Sequence, residues 1–209
     1  MKRGLLVALL LLLQVCAARA DVLTFAFSGV IDNDPFGVFG DAAFSGSYTF
    51  DTGMTRVLDT PESGGYAGSG GVFDMRVSFS GTLDPSVAGP YVADTLNITV
   101  VNGFLDEYLV TGTSSSDGML AIELTFDDFT GTAFNDTALP VAPPGLAGFT
   151  SIRFALFAGT LDVPIEAEGQ PESLVCAVGC AAVPEPGSLL LCAAAMMGLA
   201  LGRRRGTLR

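Results

Sequence analysis

The sequence predicts an all-β fold: an antiparallel β-sandwich or jelly roll of about eight strands, with a barrel as the alternative. Three observations point there. Short runs alternate bulky apolar with polar residues, the period of two that sends successive side chains to opposite faces of a strand. Clusters of Gly, Pro, Asn and Asp separate these runs at the spacing of turns between strands. Outside the two ends of the chain, no long stretch carries the 3.6-residue period of an amphipathic helix.

Bulky residues alternate from Val22 to Phe27, and Phe44, Gly46, Tyr48 and Phe50 continue the pattern. Between Val72 and Phe79 it is cleanest, with Phe73, Met75, Val77 and Phe79 on one face and Asp74, Arg76 and Ser78 on the other. That is the signature of a half-buried strand. Further strands are expected at Leu96 to Val101, Glu107 to Thr111, Leu120 to Phe126 and Ile152 to Phe157. The turns between them fall at Asp32-Asn33-Asp34-Pro35, Gly64-Gly65, Asp84-Pro85, Asn102-Gly103, Ser114 to Gly118 and Pro143-Pro144-Gly145. From Leu161 onward the alternation fades and Pro164, Glu166, Glu168, Pro171 and Glu172 accumulate. Residues 21–162 therefore read as the β domain and 163–183 as a linker or tether.

Both ends read as addresses. Residues 1–20 have the parts of a secretory signal peptide: Lys2 and Arg3, the apolar run Leu5 to Leu13, and Ala18-Arg19-Ala20 as a small-x-small cleavage site before Asp21. Lipidation of Cys16 is the competing reading, and Val15 is too bulky for it. At the other end, residues 188–202 carry no charge and Arg203, Arg204 and Arg205 stop the run. As a helix it would be about 22 Å long, short of the roughly 30 Å hydrocarbon core, so it would span only marginally. A buried core helix would show a polar face, and this one has none. Gly198 and Gly202 form a Gly-x-x-x-Gly face.

Val183, Pro184, Glu185 and Pro186, followed by the short apolar helix and the terminal arginines, resemble the PEP-CTERM sorting signal of Gram-negative bacteria, here residues 184–209. The resemblance implies export through the inner membrane, transient anchoring there, and processing near Pro184-Glu185-Pro186 by an exosortase. It also implies delivery to the cell surface or extracellular matrix, among extracellular polysaccharide systems. The segments Phe44 to Asp51, Gly64-Gly65-Tyr66 and Phe126 to Gly131, with Ala138-Leu139-Pro140, resemble a recurring cargo type of such proteins, one with no assigned activity.

Between Asp21 and Val183 only Arg56, Arg76 and Arg153 face 21 acidic residues, a net charge of −18. Such a surface repels nucleic acid and anionic headgroups and favours cations or neutral partners. The chain has no histidine, which removes the Ser-His-Asp and Cys-His arrangements and the usual zinc ligand sets. Cys176 and Cys180 are expected to form a local disulfide in an oxidising compartment, the alternatives being free thiols or pairing between molecules. Cys192, inside the apolar helix, reads as a packing residue.

Carboxylates are the abundant reactive group. Asp106-Glu107 and Asp127-Asp128 are adjacent pairs, but neighbours on a strand point to opposite faces, so neither pair makes a glycosidase dyad by adjacency. Loop calcium is the better use of such acids, with Asp32, Asp34, Asp127 and Asp128 as candidate ligands. An EF-hand at Asp32 fails because Ala43 stands where the twelfth-position glutamate belongs. In the absence of tryptophan, Tyr48, Tyr66, Tyr91 and Tyr108 are left as sugar-stacking rings, each expected to carry its hydroxyl at the surface. These readings favour an exported, non-enzymatic surface or matrix protein that meets exosortase, the inner membrane transiently, and extracellular polysaccharide. The rivals are a carboxylate-dependent glycan-active enzyme and a calcium-dependent glycan-binding module. A cleft holding two carboxylates from different strands at glycosidase separation would favour the enzyme, and its absence the structural reading.

Overall fold

The computed structural model describes residues 21–114, 119–159 and 164–180. They form β1 (Val22–Asn33), β2 (Ala43–Asp51), β3 (Thr55–Asp59), β4 (Ser63–Ser69), β5 (Asp74–Ser80), β6 (Tyr91–Ala93), β7 (Thr95–Val101), β8 (Asp106–Thr113), β9 (Ala121–Asp128), β10 (Ser151–Gly159) and β11 (Pro164–Val178). All eleven belong to one antiparallel sheet in the order β3-β4-β7-β8-β9-β10-β11-β1-β2-β5-β6. Among the described residues the order ends at β3 and β6 and does not close into a barrel. The strands lie in one compact unit that ends at Gly179; of a second, which begins at Cys180, only that residue is described.

The sheet curls over on itself as a sandwich, and the core fills the fold. Phe154 of β10 stacks on Phe44 of β2 with ring centroids 4.2 Å apart, and Phe79 of β5 tilts against it at 6.1 Å. Tyr48 of β2 and Tyr108 of β8, both 0% exposed, share a hydrogen bond of 3.1 Å across the interior. A β-carbon on Gly112 of β8 would sit 2.7 Å from the Met75 side chain of β5, so the two layers meet closely there. Alternation dictates which residues point inward: Leu23, Phe25, Phe27 and Ile31 on β1, and Ile122, Leu124 and Phe126 on β9.

The all-β class holds, but the described residues form eleven strands rather than about eight. Three departures from the sequence reading account for it. The expected tether is instead β11, the longest strand, paired with β1 on one side and β10 on the other. Its inward residues include Ala167, Gly169 and Pro171, so it alternates small with acidic and shows no bulky period. Pro164 opens the strand, and Pro171 lies at a register shift where only β1 is paired, positions that tolerate a missing amide. Gly64-Gly65, expected as a turn, lies inside β4, where added β-carbons would meet the Thr137 carbonyl at 2.3 Å and Leu58 at 2.9 Å. The short strands β3 and β6 at the sheet edges went unread.

The β3 edge is guarded. All five of its residues are exposed, and a register irregularity falls between Arg56 and Leu58. The Arg56 guanidinium pairs with Asp59 at 2.9 Å, donates to the Thr137 hydroxyl at 2.8 Å and lies over the Tyr66 ring. A bulge and a charge on a short edge discourage pairing with another chain.

Candidate functional site

The outer face of β8 to β11 and the end of β1 carries the polar side chains that the core excludes. Register sets them in rows. Glu107 lies opposite Asp127, and Asp127 opposite Ser151. A second row runs Thr111, Glu123, Ala155, Glu168, Asn33. Ala155 leaves a gap in that row, and Arg153, two residues away on β10, reaches Glu123 and Glu168 at 3.9 Å each. Neither approach is a hydrogen bond, so the guanidinium is held there by charge alone. Glu168 in turn accepts from Asn33 Nδ2 at 3.0 Å.

Beside this row lies a cleft of about 440 Å³ lined by Asp32, Phe149, Thr150, Ser151, Arg153, Glu168 and Gln170, with Ile152 and Gly169. One wall is fixed by Thr150, whose amide and hydroxyl donate to the Asp127 carbonyl at 2.8 and 2.9 Å while its hydroxyl accepts from the Phe129 amide at 3.1 Å. Phe129, 64% exposed, is thereby anchored next to the cleft.

The inner members of the two acidic pairs behave differently. Asp106 and Asp128, opposite one another, are 0% and 1% exposed. Asp106 accepts from the amides of Gly103 and Phe134 at 3.1 and 2.8 Å, which ties two loops to the strand end. Asp128 accepts from the Thr130 amide and hydroxyl and from the Thr132 amide, all within 2.9 Å. The Thr130 hydroxyl first, then the amides of Thr132 and Thr130, hold its pKa down at about 2. For the outward Glu107 the shift is upward, through desolvation first and then the charges of Asp127 and Glu123.

The four candidate calcium ligands are not brought together. Asp34 turns into its own loop and accepts from the amides of Gly37, Phe39 and Gly40 at 2.9, 2.8 and 2.7 Å. Desolvation raises its pKa, and those amides with that of Val38 lower it further than desolvation lifts it. Asp128 is engaged by its loop, whereas Asp127 and Asp32 lie on the outer face, Asp32 in the cleft. Among the described residues no three acidic or thiol side chains group as a metal set. The tyrosines also depart from expectation. Tyr48 and Tyr108 are fully buried with raised pKa values, desolvation being the leading cause for both, and Tyr66 donates to the Thr137 carbonyl at 2.8 Å. Only Tyr91 stays partly exposed, its hydroxyl donating to the Val87 carbonyl.

Cys176 and Cys180 are both disulfide-bonded. Residues 1–20, expected as a signal peptide, Val183, Pro184, Glu185, Pro186, the run 188–202 expected as a helix with Gly198 and Gly202, Cys192, and Arg203, Arg204 and Arg205 lie outside the described residues. Among the described residues no helix is long and apolar enough to cross a membrane. Arg153, Glu168 and Gln170 escaped the sequence reading: one was the middle of an ordinary strand, and the other two stood on the supposed tether. The alternation of Glu166, Glu168 and Gln170 with small residues was the available signal.

No family model, curated protein or solved structure matches the chain.

Proposed function

We propose that the chain is an exported surface or matrix protein of non-enzymatic character, carried out by its N-terminal signal, sorted through a PEP-CTERM signal, and associated with extracellular polysaccharide. The observation that carries this reading is the order of segments: a leader, a β domain of net charge −18 between Asp21 and Val183, then Pro184-Glu185-Pro186, an uncharged run and an arginine stop. The internal chemistry of the domain agrees with a scaffold. Its buried tyrosines bond to each other and its buried aspartates hold loops, so these groups serve packing and shape. In cells with an exosortase, intact mass of the recovered protein should begin at Asp21 and end near Pro184-Glu185-Pro186. Recovery of chains that still carry Arg203 to Arg209 would sink the sorting reading.

One observation favours the glycan-active rival. Glu107 and Asp127 come from different strands and face each other with Glu107 held toward its protonated form. Directly opposed residues place their β-carbons about 4.5–5.5 Å apart, so the two carboxyl groups are near neighbours on one face, as a glycosidase pair must be. Reducing sugar released from a neutral polysaccharide by the wild type, and not by Glu107→Gln, would establish that activity. The calcium-dependent module rests on the outward acids alone. A rise in melting temperature with calcium beyond that with magnesium at equal ionic strength would support it.

A further inference from the structure

The geometry points to the cleft between β1, β10 and β11 as a binding site for an uncharged, polyhydroxylated chain, a neutral glycan; this rests on the proposal that the protein lives among polysaccharide. Three features of the cleft select that chemistry. Its walls mix donors and acceptors in a small space: Arg153 and Gln170 donate, Asp32 and Glu168 accept, and Ser151 and Thr150 do either. The Arg153 guanidinium sits 3.9 Å from two carboxylates, close enough to be held in place and too far to be hydrogen-bonded by them. A ligand hydroxyl can therefore use its donors without displacing a partner. Phe149 in the wall supplies apolar surface for the C–H face of a sugar ring.

Charge removes the competing ligands. The lining carries Asp32 and Glu168 against Arg153, and Glu123 stands behind that arginine, so a phosphate or a uronate meets more negative than positive charge. A cation would find Glu168 already facing the Arg153 guanidinium, 3.9 Å away. The volume, about 440 Å³, admits a short stretch of a sugar polymer.

Affinity electrophoresis tests this with the full-length chain in a detergent that lacks a sugar headgroup. The gel contains a soluble neutral β-glucan, a mannan, or a polyuronate. Wild type should be retarded by a neutral polymer and not by the polyuronate. Arg153→Ala and Gln170→Ala should each weaken retardation roughly fivefold, the scale of one lost hydrogen bond. Asn97→Ala, on the exposed face of β7 three strands from β10, should bind like wild type. Both cleft positions are exposed, so melting curves should match and confirm that the variants fold. No retardation in either neutral polymer, stronger retardation in the polyuronate, or unchanged binding of both cleft variants would overturn the inference. Binding lost in the variants while intact mass shows an uncut tail would instead sink the sorting reading and leave the cleft standing.

Discussion

Two regions of this sandwich are fixed by opposite means. Around Phe44 and Phe154 the layers are held by rings, and the backbone makes room for them. Gly29, Gly46 and Gly169 sit where a β-carbon would fall 2.6 Å from Phe44, 2.4 Å from Phe27 and 2.9 Å from Phe44 respectively. Where β8 begins and β9 ends, Asp106 and Asp128 gather the amides of the adjoining loops. The first region depends on shape and should be insensitive to pH. The second depends in part on the Asp128 carboxylate, whose pKa its loop hydrogen bonds hold down, and should loosen in acid. A single fold can thus keep its layers together under conditions that loosen its loops, and the cleft, which borrows a wall from Thr150, belongs to the loop side.

The largest effect should come from the ring cluster. Phe154→Ala removes the stacking partner of Phe44 and contacts to Phe27 and Phe79. It should cost about 3–5 kcal/mol in urea unfolding. Gly169→Ala approaches the same cluster from the other side, since its β-carbon would lie 2.3 Å from the Val30 carbonyl, which cannot swing away as a side chain can. A cost of about 1–3 kcal/mol is expected. Wild-type stability for Gly169→Ala would mean that β1 and β11 part more easily than their register implies.

Next in size is the tyrosine pair, which tests whether a polar contact can belong to the shape-held region. Tyr48→Phe strands the Tyr108 hydroxyl in a site with no exposure, at a cost of about 1–3 kcal/mol. Replacing both with phenylalanine removes the donor and acceptor together. The double variant should therefore be more stable than the sum of the singles predicts, and a double-mutant cycle measures the difference. Strict additivity would show that the two hydroxyls do not depend on each other.

How much of this was legible follows from which side chains mark a strand. β5 and β9 announced themselves because Met75, Val77 and Phe79, and Ile122, Leu124 and Phe126, are bulky at every second position. β11 lies against the aromatic cluster, where only small residues fit, so the packing that makes it central also erased its hydrophobic period. That the two members of each acidic pair, Asp106-Glu107 and Asp127-Asp128, would face opposite sides followed from alternation alone. That Asp106 would lie opposite Asp128, and Glu107 opposite Asp127, depends on the pairing of β8 with β9, which adjacency in sequence cannot reveal. The cleft was hidden for the same reason, since its residues come from β1, β10, β11 and the loop before β10.

The loop side breaks with acid. The Asp128 pKa is held at about 2 against an ordinary 3.8, and that of Asp34 is lowered too. A depressed carboxylate contributes stability that is complete above the unfolded value and lost as pH falls through the folded one. The wild type should therefore lose stability between about pH 4 and pH 2. Asp128→Asn should be less stable at pH 7 and lose less over that acid interval, as read from urea midpoints across pH. Parallel decline of the two proteins would assign the acid sensitivity elsewhere.

The smallest effect, and the one that sharpens the contrast most, is at Glu107. Its pKa is raised, so the sign reverses: the folded state holds that proton more tightly, favouring folding below the unfolded value near 4.5, and the advantage disappears as pH rises through the folded value. At neutral pH what remains is a like-charge pair directly across two strands, a cost of about 0.2–1 kcal/mol. Glu107→Gln should therefore stabilise the protein slightly at pH 7 and lose that benefit below about pH 4.5, opposite in sign to Asp128→Asn although the two residues sit on paired strands. Position on the inner or outer face, rather than residue type, then decides what a carboxylate does here. If Glu107→Gln instead lowers the melting temperature at pH 7, its carboxylate stabilises the fold through an interaction stronger than the repulsion from Asp127, and the outer face is not the loosely charged surface that its register implies.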